Sequence, residues 1–124
     1  MRVASTMSLV LASLALSGLL ALASAADTLP EPEGKAFWDY ITKQSNYEKW
    51  GQWPGLEGFQ PGNSPHGVIQ RIFVNDRVLQ SSKAPVQDGS IVVKENYNKA
   101  KELKAITIMY KKAGYNPEHG DWYW

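Results

Sequence analysis

Two charged side chains of opposite sign stand together, Lys94-Glu95, inside a stretch that reads Asp88-Gly89-Ser90-Ile91-Val92-Val93-Lys94-Glu95-Asn96-Tyr97. Asp88-Gly89 is a turn pair, because both residues tolerate the backbone angles of a tight reversal. The β-branched run after it predicts a strand. Side chains alternate across a strand, so Val92 and Lys94 share one face while Ile91, Val93 and Glu95 share the other. Two charges in such a run are expected near a sheet edge, with the Lys94 stem lying over Val92 and Glu95 meeting a cross-strand base such as Arg71.

Other constellations that could do chemistry are few. The two histidines, His66 and His119, belong to no His-x-x-x-His or Glu-x-x-His pair, and the sequence has no cysteine. No protein-built zinc or copper site is expected from such a set. His66 reads as a structural histidine at a strand start and His119 as a solvated loop residue. Serines occur without a Gly-x-Ser-x-Gly elbow. Gly55, Gly58 and Gly62 lie among prolines and open no helix, so they do not form a phosphate-cradling loop.

The length of 124 residues accommodates one domain. Residues 1–25 read as a secretory signal peptide: Met1-Arg2 is a short positive start, Leu9 to Leu22 is apolar, and Ala23-Ser24-Ala25 is a small-x-small cleavage signal. The expected location is therefore periplasmic or secreted. Removing Arg2 with the signal leaves 12 basic against 12 acidic side chains, a neutral mature domain over 26–124. That balance argues against nucleic acid as a partner. A small domain without disulfides needs another source of stability, and five Trp, six Tyr and three Phe, all beyond the signal, supply buried area or a surface for a flat ligand.

The remaining elements must position these groups. Pro30 and Pro32 mark an extended lead-in. Lys35 to Gln44 predicts a helix, with Phe37, Tyr40 and Ile41 on one apolar stripe. Tyr47 to Trp53 predicts a further helical turn. Trp50 to Pro65, dense in Gly and Pro, predicts a long loop packed down by Trp50, Trp53 and Phe59. His66 to Val74 is expected as the first strand, apolar and covered on both faces. Asn75-Asp76 should cap a short helix over Arg77–Ser82. After the Lys94 strand, Asn98 to Lys104 is an exposed link, and Ala105 to Tyr110 a strand with Ile106, Ile108 and Tyr110 on one face. Lys111 to Asp121 is a loop, and Trp122 to Trp124 the start of another strand. The order predicts an α+β fold, an N-terminal helix or helices packed on an antiparallel sheet that is incomplete at the C-terminus.

Several of these pieces, taken in order, resemble the cytochrome P-460 family. They are Tyr47-x-x-Trp50, Pro61-Gly62-Asn63-Ser64-Pro65-His66-Gly67, Val74-Asn75-Asp76, Asp88-Gly89-x-x-x-Val93-Lys94-Glu95-Asn96-Tyr97, Ala105-Ile106-Thr107-x-Met109-Tyr110 and Gly120-Asp121-Trp122. The resemblance spans nearly all of 26–124. It implies an exported bacterial c-type cytochrome, an antiparallel sheet with flanking helices that binds haem c. In some members, which are hydroxylamine oxidoreductases, a lysine of the Asp-Gly-x-x-x-Val-Lys-Glu strand is joined to the haem edge, and that position is Lys94 here. Relatives called cytochromes c′-beta lack the cross-link and bind nitric oxide. The resemblance implies as partners a small nitrogen-containing substrate or gas, a periplasmic electron acceptor and a second copy in a homodimer, with no membrane contact after signal cleavage.

The chain also departs from that family. Its haem is attached through Cys-x-x-Cys-His after the aromatic strand, with that histidine as the proximal ligand. This sequence reaches Trp124 without the motif and contains no cysteine. The expectation is a domain truncated before its haem-attachment motif. Two further readings stay open: a haem-free periplasmic binding module that stacks ligands on Trp50, Trp53, Phe59 and Trp122–Trp124, and a truncated product without function.

Overall fold

The computed structural model describes residues 28–124, so the signal-peptide reading, and the location that rests on it, lie outside the described residues. The fold is α+β. A helix of six residues, α1 (Gly34–Asp39), continues as a π-helical segment over Tyr40–Gln44 and packs on a six-stranded antiparallel sheet. The strands are β1 (Gly51–Gln52), β2 (Gln60–Ser64), β3 (Gly67–Val74), β4 (Ile91–Tyr97), β5 (Leu103–Lys111) and β6 (Trp122–Tyr123). Their order is β1-β3-β4-β5-β6, with β2 also on β3, and the sheet is not closed into a barrel. Among the described residues no helix is long and apolar enough to cross a membrane.

The helix forms where its apolar spacing predicts. Glu33 caps it, its carboxylate accepting from the backbone N–H of Lys35 and Ala36 at 3.3 and 3.1 Å. Phe37, Tyr40 and Ile41 are buried on the sheet side. On the outer side Asp39 lies 2.5 Å from Lys35 and 2.8 Å from Lys43, each four residues away. The hydrogen bonds from these two ammonium groups hold the Asp39 carboxyl down to about 2. The last turn widens, with the Ser45 N–H donating to the Tyr40 carbonyl at 2.8 Å, and the Trp50 indole N–H ties this end to the Ser45 hydroxyl at 3.1 Å.

The helix, Tyr47 and one sheet face make the main core: Phe37, Tyr40, Ile41, Tyr47, Phe73, Ile91, Val93 and Tyr110, with Ile106, Ile108 and Tyr123 packed against it. The opposite face carries a smaller cluster, Ile72 and Val74 with Val78, bordered by Val92. Val78 comes from the short helix α2 (Asp76–Leu79), whose cap is Asn75 as its sequence predicts. Asn75 does more than cap: its Oδ1 accepts from the Ile91 N–H at 3.0 Å and its Nδ2 donates to the Gly89 carbonyl at 2.9 Å, which joins α2 to the start of β4.

Three expectations are corrected. The strand with Lys94 and Glu95 is not at an edge; β4 is hydrogen-bonded to β3 on one side and β5 on the other. Its charges are accommodated by cross-strand partners and by one incompletely covered face. Trp50 to Pro65 is not all loop, because β1 and β2 both pair along the free side of β3. Pairing there is through the backbone, which the side-chain pattern does not reveal, and Pro61 is tolerated because β2 is an edge strand. Nor is β3 covered on both faces, since Val68 is 47% exposed. Where β3 begins, glycine is required by space: a Cβ on Gly67 would lie 2.6 Å from the Tyr97 carbonyl oxygen.

Candidate functional site

The strand alternation read from the sequence sets Lys94 and Glu95 on opposite faces, and each face holds a distinct arrangement. On the helix-covered face Glu95 is 5% exposed. Its Oε1 accepts from the Tyr47 hydroxyl at 2.8 Å, and its Oε2 accepts from the Tyr97 hydroxyl. Arg71, opposite Glu95 in the β3–β4 register as expected, brings Nη1 to 3.8 Å from Oε2. The guanidinium is held in place by two rings, 5.4 Å from the Phe59 centroid and 5.0 Å from that of Phe73. Phe59 in turn meets Tyr97 edge-on at 5.2 Å. A buried carboxylate is therefore satisfied by two phenols and one guanidinium.

Burial, and then the hydrogen bond to the Glu95 carboxylate, pushes the Tyr47 and Tyr97 hydroxyls above the ordinary phenol range. Burial, followed by the nearby Asp88 charge, pushes Tyr110 up to about 12. The folded protein thus keeps these protons longer than the unfolded chain does. Their contribution to stability is complete below the unfolded value near 10 and is lost as pH rises through the folded values. In an alkaline titration the tyrosinate absorbance of these three residues should appear together with cooperative unfolding. A smooth rise to full ionisation in a chain that keeps its circular dichroism would contradict the buried placement.

On the other face Lys94 is half-buried, facing Ile72 across β3 and Thr107 across β5, with Val92 two residues before it. Lys94 forms no ion pair among the described residues. Two residues on, Asn96 is fully buried, and its Nδ2 donates to the carbonyls of Lys94 and Ala105 and to the Thr107 hydroxyl at 3.1, 3.3 and 3.2 Å. Its Oδ1 has no donor. An amide oxygen buried without a donor costs free energy comparable to a lost hydrogen bond.

How far this face suits haem can be judged from its side chains. Val92 and Met109, half-buried on the same face as Lys94, offer apolar side chains to a flat macrocycle, whereas Ile72 is buried in the cluster with Val74 and Val78. Attachment and ligation do not fit: no cysteine is present, and both histidines are exposed, His66 in the β2–β3 turn and His119 in the 3-10 turn before β6. Among the described residues no group of three or more His, Cys, Asp or Glu stands close enough to hold a metal ion.

The aromatic residues that the sequence grouped as a stacking surface divide between the faces. Trp50 packs against the main core and Phe59 covers Arg71, whereas Trp53 and Trp122 line one cavity on the Lys94 side. The Trp122 and Trp124 rings lie 6.5 Å apart. Sequence reasoning did not find the Tyr47–Glu95–Tyr97 cluster, although Tyr97 lies two residues from Glu95 on the same strand face; Tyr47 is distant in sequence and arrives only through the fold.

The fold and these two faces define an open α+β sheet protein with one face sealed by a helix and the other only partly covered. A search against models of protein families finds no match, and comparisons with curated proteins and with solved structures likewise find none.

Proposed function

We propose that this chain is the sheet portion of an exported haem c domain of the cytochrome P-460 kind, acting on hydroxylamine or binding nitric oxide. The observation that carries the reading is on the Lys94 face: a half-buried lysine without an ion pair among the described residues lies on the same face as the half-buried Val92 and Met109. The in-order motif resemblance supports it by placing the haem-edge lysine at Lys94. In this reading these residues supply the packing surface and one ammonium group, and the redox chemistry belongs to the iron. The thioether attachment and the proximal histidine must come from outside the 124 residues.

The first test is to read the coding frame beyond the Trp124 codon. A Cys-x-x-Cys-His sequence following in frame is the expected result, and a stop codon directly after Trp124 would overturn c-type attachment. The second test uses the chain itself. Haemin titrated into the purified protein should give a one-to-one complex with a shifted Soret band, and Lys94→Ala should weaken it about tenfold, the scale of one charge-assisted contact. A complex indifferent to the Lys94 substitution would remove the role assigned to that residue.

A further inference from the structure

At the other end of the Lys94 face, where β5 meets β6, lies an apolar cavity of about 350 Å³. Val92 and Met109, paired across β4 and β5, form part of its lining together with Trp53, Val86 and Trp122. Its size is at the lower end of small-molecule sites. Trp53 is placed by its backbone N–H, which donates to the Ile72 carbonyl at 3.0 Å. Trp122 is placed by the β5–β6 register opposite Lys111. A second apolar cavity, about 300 Å³, shares Trp53, Ala84 and Val86 with the first.

The charges around this space have one sign. Lys111 lines the first cavity and Lys83 the second, and no acidic residue lines either. Lys111 is half-buried, its Nζ lies 5.5 Å from the Trp122 ring centroid, and it forms no ion pair among the described residues. Its backbone is fixed from both sides, the N–H donating to the Ser90 carbonyl at 2.9 Å and the carbonyl accepting from Gly89 at 2.8 Å. A partly desolvated ammonium with no carboxylate, at the rim of an indole-walled apolar space, is complementary to one chemical class.

We propose that this cavity binds an aromatic monocarboxylate, its ring against Trp53 and Trp122 and its carboxylate on the Lys111 ammonium. The assignment is for the haem-free chain, since Val92 and Met109 of this lining also belong to the face offered to haem. Charge-assisted contacts are stronger than neutral ones, so the carboxylate should matter beyond the ring.

The test is calorimetric titration of the purified protein with 2-naphthoate and, as the neutral comparator, 2-naphthylmethanol. Naphthoate is expected to bind one-to-one and about tenfold more tightly than the alcohol, a preference that corresponds to one charge-assisted contact. Lys111→Met should abolish the preference, Lys111→Arg should retain it, and Trp122→Ala should weaken both ligands. Equal affinity for the two ligands in the unmodified protein, no saturable binding, or a preference that survives in folded Lys111→Met would each overturn the proposal. Should Lys111→Met lose its fold, the preference measured in the unmodified protein decides alone.

Discussion

Replacing Glu95 by alanine is expected to lower the free energy of unfolding by about 3–5 kcal/mol, the scale seen when one partner of a buried charged cluster is removed. The loss has three parts. The Tyr47 hydroxyl, now bonded at 2.8 Å, and the Tyr97 hydroxyl would both lose their acceptor in a buried site. Each unsatisfied buried hydroxyl costs about 1–3 kcal/mol. Arg71 would keep its stacking on Phe59 and Phe73 but lose the only carboxylate within 4.0 Å among the described residues. Domains of this size are stable by only about 5–15 kcal/mol, so the variant should unfold at a markedly lower denaturant concentration. Glu95→Gln, which keeps an acceptor oxygen, should cost less than the alanine. If Glu95→Ala loses under about 1 kcal/mol in a denaturant titration, the cluster contributes no more than an exposed ion pair and its description as a buried, satisfied site fails.

Tyr110→Ala should cost a similar amount, about 3–5 kcal/mol, for a different reason. Tyr110 is fully buried where the N-terminal segment, α1 and the sheet meet. Its ring lies 5.3 Å from that of Phe37, and its hydroxyl donates to the Pro30 carbonyl at 2.9 Å, eighty residues away in the chain. Truncation would open a cavity beneath α1 and free the lead-in from the sheet. Tyr110→Phe separates the two effects, since it removes only the hydrogen bond and should cost about 0.5–1.5 kcal/mol. The comparison is made by calorimetric melting of both variants. Equal losses would show that the hydroxyl carries the effect, and that α1 does not depend on the ring as the core packing requires.

Much of the fold was legible in the chain because local signals agreed. The Phe37, Tyr40 and Ile41 spacing, the Asn75 cap and the Ile91–Val93 alternation each specify an element and its buried face from neighbouring residues alone. The Arg71–Glu95 pairing was legible too, since a charge on a buried strand face needs an opposite charge across the ladder. The loop reading of residues 50–65 failed because β1 and β2 are strands by virtue of the open side of β3, and a strand recruited by backbone pairing carries no side-chain signature. The edge reading of β4 failed for a related reason. Two charges suggest solvent, and it is the arrival of Tyr47 and Arg71 at Glu95, with Lys94 on the incompletely covered face, that makes a central position tolerable.

What the sequence by itself determined is the N-terminal helix, the capped α2, the strands β3 to β6 and the assignment of Lys94 and Glu95 to opposite faces, because helical and strand periodicities are properties of adjacent residues. Only the tertiary structure decided what each face meets. It brought Tyr47 onto Glu95 and set Trp53, Met109, Lys111 and Trp122 around one cavity, since these contacts join segments far apart in the chain and depend on sheet order and helix placement.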